Sequence, residues 1–385
     1  MSWHLKPHRI NLLGIVLIAI GAAIASNPAW PDVEDARLVQ ARARIPEIAT
    51  RYAGLAERLG AEIATASRNA RVQATASAAA QLWQRARSDV QLGAADDRAL
   101  YWGRLALRAT VADNSSADER EQLLAIIELH TRGHADAAFP DHATTRVLIT
   151  GFDPFHLDQD IDQSNPSGLA ALKLDGTTLQ AGDRSAHIEA ATFPVRFDAF
   201  DNGMVEDFFT THYLHDELSL VVTVSMGRDE FDLERFPGRR RSAESPDNAN
   251  VLTGASANGP LVPMLRGQPL AGPEFVEFSL PAAAMVKASG DWTIRDNRNV
   301  QTVESGALEA SSLSRLLGET AVRGSGGGYL SNEISYRSIR LRNELGLTIP
   351  IGHIHTPSVR GYQETDERRI VAQISRMLEQ AIGVL

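Results

Sequence analysis

Val147-Leu148-Ile149-Thr150-Gly151-Phe152-Asp153-Pro154-Phe155 is the stretch on which the fold turns. Its first four residues form a short apolar run stopped by glycine, the pattern of a strand buried on both faces. Two further runs of this kind follow, Leu218 to Val224, ended by Ser225-Met226-Gly227, and Leu347 to Ile354. Asn332 to Leu345 and Glu364 to Ile382 read as helices. Strands alternating with helices predict an α/β domain whose mostly parallel sheet is covered by helices on both faces. Sites in such sheets form at the carboxyl ends of strands, where all three runs stop.

N-terminal to this pattern the composition changes near Asp136. From about Val33 the chain is rich in Ala, Arg, Glu and Gln, residues that lose little on entering a helix, so an all-α region is expected over 33–133. Its best-defined helix starts at Ser116, which has capping-box spacing to Glu119. Leu123, Ile126, Ile127 and His130 make one stripe, and Gly133 is the expected stop. Trp83 and Trp102 are expected to anchor the packing, and residues 134–145 to form a linker to an α/β domain over 146–385.

Residues 1–25 read as an export signal or an uncleaved anchor. Lys6 and Arg9 precede the uncharged stretch Leu12 to Ala25, and Ala23-Ile24-Ala25 offers a small-x-small cleavage site. The apolar core is short against the roughly 20 residues of a membrane span. The expectation is a periplasmic or secreted protein, or a membrane-anchored one facing the periplasm. Its 385 residues include no cysteine, which excludes disulfides and thiolate metal sites and suits an oxidising compartment. A formal net charge of −10 disfavours a nucleic-acid partner.

Three segments carry candidate chemistry. Gly324-Ser325-Gly326-Gly327-Gly328-Tyr329-Leu330-Ser331-Asn332 is a glycine-rich turn feeding a helix. Ser331 is either a helix cap or a side chain placed where backbone N–H groups can stabilise an oxyanion; the lysine of a phosphate loop is missing. His353 and His355, two apart on a strand, share a face and offer either a metal pair or one catalytic imidazole with a structural neighbour. Gly227 to Arg235 is acidic and reads either as solvated surface or as the source of a carboxylate that orients an imidazole. No cofactor is called for.

Taken together the segments resemble pyroglutamyl peptidase I. Thr150-Gly151-Phe152-Asp153-Pro154-Phe155 followed by Asn165-Pro166-Ser167 is similar to that family's T-G-F-(E/D)-P-F-G and N-P-S. Gly227-Arg228 with Glu234-Arg235, then Pro246-Asp247-Asn248, resemble G-R-x-x-I-x-x-E-R and P-D-N. Gly327 to Asn332 with Tyr336, and Gly352 to Pro357, resemble G-T-Y-(L/V)-C-N-x-x-x-Y and G-F-I-H-(V/I)-P. The resemblance runs in the family's order from Thr150 to Pro357 and leaves the helical region outside.

That family removes an N-terminal pyroglutamyl residue from peptides with a Cys-His-Glu triad. The resemblance implies Glu234 as orienting acid, His355 as general base and Ser331 at the nucleophile position, with Phe152, Phe155, Tyr329 and Leu330 lining an apolar pocket for the lactam. It implies a peptide with a blocked N-terminus as partner and is compatible with an oligomer. The departures favour a second reading, an inactive binding module of the cell envelope. Glu244 stands for the family's arginine, His156 for its glycine and Val224-Ser225-Met226 for Q-A-G. Arg239, Arg240 and Arg241 are expected at the surface, although one of them could replace the missing arginine. Val251 to Pro281 is expected as an added loop over the site.

Overall fold

The computed structural model describes residues 32–385, and the export signal expected over 1–25 lies outside the described residues. Five principal helices come first: α1 (Val33–Arg44), α2 (Ala53–Thr65), α3 (Arg68–Gln91), α4 (Arg98–Asp113) and α5 (Ala117–Thr131). Ser116 precedes α5, yet the capping box does not form, because the Ser116 hydroxyl bonds the Glu119 carboxylate at 3.2 Å instead of a backbone N–H. Leu123, Ile126 and Ile127 are buried as the stripe requires. Trp83 and Trp102 are fully enclosed.

The rest is built on a seven-stranded sheet: β1 (Arg146–Phe152), β2 (Thr177–Ala181), β3 (Arg184–Phe193), β4 (Leu220–Arg228), β5 (Phe231–Glu234), β6 (Ile294–Asn297) and β7 (Ile351–Pro357). The strand order is β2-β3-β1-β4-β7-β5-β6. The central strands β3, β1, β4 and β7 run parallel, β2 is antiparallel at one edge, and β5 turns antiparallel to β7. Helices cover both faces. The pair α6 (Pro166–Leu174) and α9 (Glu364–Ile382) packs together beside β1 and β3, while α7 (Met204–His215) and α8 (Leu330–Glu344) pack together beside β4 and β7. That is why β1, β4 and β7 are buried along nearly their whole length, without the alternation of a half-exposed strand.

Two sequence expectations are corrected. β7 begins at Ile351, not Leu347, because the chain leaves α8 through Gly346 at φ 67° and the Ile349 carbonyl accepts from Arg342 before the strand starts. Residues 231–234, read as possible acidic surface, form a completely buried strand. Across these parts runs one hydrophobic core, which includes Leu59, Trp83 and Ile127 of the helical region and Leu148, Val222 and Ile354 of the sheet. The connecting segment is itself packed at its start: the His134 ring lies between Phe193 and Phe208, and burial pushes its pKa down to about 3. Among the described residues, no helix is long and apolar enough to cross a membrane.

Candidate active site

β1, β4 and β7 are neighbours, so their carboxyl ends bring Phe152, Gly227 and His355 side by side. β1 lies between β3 and β4, which leaves a crevice where the connections diverge. The crevice is a cleft of about 260 Å³ lined by Phe152, Phe155, Tyr329, Leu330, Ser331 and His355, among others. Six of the seven residues singled out in the sequence therefore line one cleft. The seventh, Glu234, lies fully buried directly behind His355.

The imidazole is set by its neighbours. His355 Nδ1 lies 2.6 Å from Glu234 Oε1, an N–H donated to a carboxylate. Its Nε2 has no hydrogen-bond partner among the described residues and faces the glycine turn at Gly227. Glu234 Oε2 accepts from Asn297 at 2.8 Å, and Arg228 approaches Oε1 at 3.2 Å. Burial pushes the Glu234 carboxyl up to about 7 against the pull of Arg228 and Asn297. Burial and the Arg228 charge push His355 down to about 3. Both shifts favour the uncharged form, so the resting imidazole is a neutral base.

His353, its neighbour on the same face, is enclosed between two hydroxyls, Thr223 Oγ1 at 2.8 Å from Nδ1 and Ser225 Oγ at 2.7 Å from Nε2. Ser225, one of the departures from Q-A-G, thus serves the second imidazole. Among the described residues, no three His, Asp or Glu side chains gather as a metal set.

Ser331 sits in the first turn of α8, two residues after the N-cap Tyr329, so it does not cap the helix. The first backbone N–H groups of a helix have no intrahelical acceptor and carry its positive end toward the cleft. The Ser331 hydroxyl donates to the Gly326 carbonyl at 3.3 Å and makes no hydrogen bond to His355. Close approach explains the glycines of this turn: a Cβ on Gly328 would lie 2.0 Å from Ser242 Oγ. Asn332 holds the turn by bonding both the N–H and the carbonyl of Gly238.

The aromatic wall is braced on several sides. Gly151 has no room for a Cβ, which would lie 2.1 Å from the Ser167 carbonyl. The Ser167 hydroxyl accepts from the Phe152 N–H at 3.0 Å, and Asn165 donates to the Asp153 carbonyl at 2.9 Å. Asn248 donates to the Pro154 carbonyl at 2.8 Å, and Tyr329 to the Pro246 carbonyl at 2.8 Å. The P-D-N segment is therefore a brace between the two cleft walls.

His156 takes φ 63°, the left-handed region that glycine enters freely, and packs against Phe155 with ring centroids 4.2 Å apart and the planes tilted by 40°. Arg104 from α4 donates to both Asp153 oxygens at 2.9 and 2.8 Å, and Arg132 to one at 2.6 Å. Arg37 from α1 reaches the Asn248 carbonyl at 2.5 Å. These arginines were not singled out in the sequence, because nothing local pairs a helical arginine with a carboxylate far along the chain.

Three expectations fail here. Arg241 is not at the surface; it is buried and bonds Glu333 and Asp201. Arg239 and Arg240 both pair with Glu274. The arginine that lines the cleft is Arg228, and Glu244 is exposed away from it. Residues 251–281 contribute nothing to the cleft wall; Phe278 and Leu280 instead pack over Gly352.

Comparison with known proteins follows the same division of the chain. The model of the PA0049 C-terminal domain matches residues 146–271 and 293–360, and that of the PA0049 N-terminal domain matches residues 19–128. A Pseudomonas aeruginosa protein described as uncharacterized protein PA0049 is 27% identical over 360 residues, a match covering 70% of this chain and 65% of that protein. The chain thus spans just under two thirds of the length of the curated relative it matches. Among solved structures, a mutant pyrrolidone carboxyl peptidase from Pyrococcus furiosus aligns with TM-score 0.42 at 20% identity, over 63% of this chain and 100% of that one. Pyroglutamyl peptidase I from Bacillus amyloliquefaciens aligns with TM-score 0.41 at 19% identity, over 62% and 93%.

Proposed function

The chain belongs to the family defined by the PA0049 N- and C-terminal domains, and from that premise we propose that it is a serine-dependent hydrolase removing an N-terminal pyroglutamyl or related cap from peptides. The observation that carries this reading is the 2.6 Å contact between His355 and Glu234, which leaves Nε2 free at a cleft wall shared with Ser331.

Serine cannot exist as a pre-formed alkoxide near neutral pH, so its proton must leave during attack. Ser331 Oγ attacks the carbonyl that joins the cap to the next residue while His355 Nε2 takes the proton. The negative oxygen that forms is received by the free N–H groups at the start of α8. His355 then protonates the departing amine, and water, deprotonated by the same imidazole, releases the cap from Ser331. Glu234 keeps the imidazole in the right tautomer and stabilises its charge. Phe152, Phe155, Tyr329 and Leu330 offer flat apolar walls to a neutral ring. The same reading places the work outside the cytoplasm, on the basic and apolar pattern of residues 1–25.

A binding module that holds such peptides without cleaving them is the second reading. Its support is the bond from Ser331 to the Gly326 carbonyl, which engages the hydroxyl proton that His355 would have to accept. Hydrolysis of a chromogenic pyroglutamyl amide separates the two. Turnover that disappears in both Ser331→Ala and His355→Ala is the expected outcome. Full activity in either variant sinks the mechanism, and ligand-dependent thermal stabilisation without turnover selects the binding module.

A further inference from the structure

The cleft continues past Gly327 and Arg228 into a larger depression of about 550 Å³ that shares both residues with it. One wall is a small antiparallel sheet, Asn299–Thr302 flanked by Gly306–Glu309 and Ala321–Arg323. Strand alternation divides its faces, and an irregularity between Ala321 and Arg323 turns Arg323 to the face opposite Ala321. Val300 and Ala321 are buried in a second apolar cluster with Phe236, Phe275 and Leu316. Asn299 and Gln301, with their cross-strand partners Glu309 and Arg323, form the other face and line the depression. Apart from the exposed Ala307 opposite Gln301, that face is polar.

Most charges around the depression are already paired. Arg295 holds Asp232 at 2.6 Å, Arg298 holds Asp296 at 2.9 Å, and Arg228 holds Glu234 at 3.2 Å. Arg323 differs. It is exposed, has no ion pair or side-chain hydrogen bond among the described residues, and directly precedes the glycine turn that carries Ser331. Glu309, also exposed, lies across from Asn299 on the opposite outer strand, with the central strand between it and Arg323. Nothing inside the fold uses the Arg323 guanidinium, whose planar fork suits a carboxylate.

We propose that this depression binds the part of the peptide on the amine side of the cleaved bond, and that Arg323 receives an acidic side chain there. The proposal rests on the reading of the adjoining cleft as the site for the cap. A tail leaving that cleft past Gly327 and Arg228 enters a polar trough in which Asn299 and Gln301 can meet its backbone amides. Glu309 disfavours a second acidic residue further along.

Calorimetry on the full chain carrying Ser331→Ala reads binding without requiring turnover. The probes are pyroglutamyl-Ala-Glu, pyroglutamyl-Ala-Gln, pyroglutamyl-Ala-Lys (all amidated at the C-terminus) and the uncapped Ala-Ala-Glu amide. The glutamate tail is expected to bind about two- to fivefold tighter than the glutamine tail, as for an ion pair at a partly exposed site. Added Arg323→Ala should erase that ratio, Arg323→Glu should turn it toward lysine, and salt should weaken it. Equal affinities for the two tails, or a ratio unchanged by Arg323→Ala, overturn the proposal while leaving the cap site intact. Equal binding of capped and uncapped glutamate peptides, with the ratio still dependent on Arg323, overturns the cap site and supports the depression. No binding by any acidic peptide overturns both.

Discussion

His355 and Glu234 illustrate how one contact sets the chemistry of a residue. Enclosure raises the carboxyl to about 7 and lowers the imidazole to about 3, so the first proton taken up on acidification goes to Glu234. A protonated Glu234 accepts only weakly from Nδ1–H and has no charge to stabilise the imidazolium, and activity should fall below about pH 7. Glu234→Gln should lower kcat by roughly 10²–10⁴-fold with little change in KM, and should remove that acid limb, because its amide does not titrate. A pH profile of kcat/KM on a pyroglutamyl amide checks both; an unchanged limb in the variant dismisses Glu234 as its source. The roles implied for Ser331, His355 and Glu234 came from motif resemblance, and periodicity alone could not have paired them. The second imidazole was visible as a same-face neighbour, whereas its two hydroxyl partners were not, since Thr223 and Ser225 belong to another strand.

At the scale of elements, the helical region is joined to the site through buried ions. Asp153, between the aromatics Phe152 and Phe155, is enclosed with Arg104 and Arg132, and all three are almost inaccessible. Removing one partner of a buried pair leaves a charge without compensation. Arg104→Met should therefore destabilise the protein by about 3–5 kcal/mol in urea unfolding, far more than a surface arginine would. A loss below about 1 kcal/mol would mean that Arg132 alone suffices for Asp153. The helix Glu364–Ile382 was legible to the residue, and the strand at Val147 nearly so, because long periodic or wholly apolar runs dominate local choice. The strand Phe231–Glu234 was ambiguous because its buried Asp232 and Glu234 are compensated by arginines outside the segment. The small sheet over 299–323 passed unnoticed, its strands being too short to show a period.

For the whole molecule, acidic groups meet where the helical region docks. Glu367 of α9, bonded to the Ser164 hydroxyl, is buried and pushed up to about 8, and Asp97 is also held above the usual carboxylate range by burial and by Glu367. A carboxyl whose folded pKa is raised favours the folded state while protonated. Its contribution is full below the unfolded value of about 4.5 and is lost as pH rises through about 8. Stability should therefore fall between those limits by up to about 1.4 kcal/mol per pH unit for each such group. Glu367→Gln should flatten the decline and make the protein more stable than the parent at pH 9. Glu189, raised to about 8 by burial, leaves a residual slope. Thermal unfolding across pH measures it, and identical slopes in both proteins would exclude Glu367.

The sequence by itself determined the helical first region, the alternation of strands and helices after it, the mostly parallel sheet and the residue types offered at the strand ends. Those follow from local patterns: apolar runs stopped by glycine, a helix begun after a glycine turn, and alanine-rich helices before them. Only the tertiary structure decided that Glu234 lies behind His355, that Arg104 and Arg132 compensate Asp153, and that a polar trough adjoins the cleft. Each of those contacts joins residues distant in the chain, and its energy comes from burial and charge pairing that no local stretch contains.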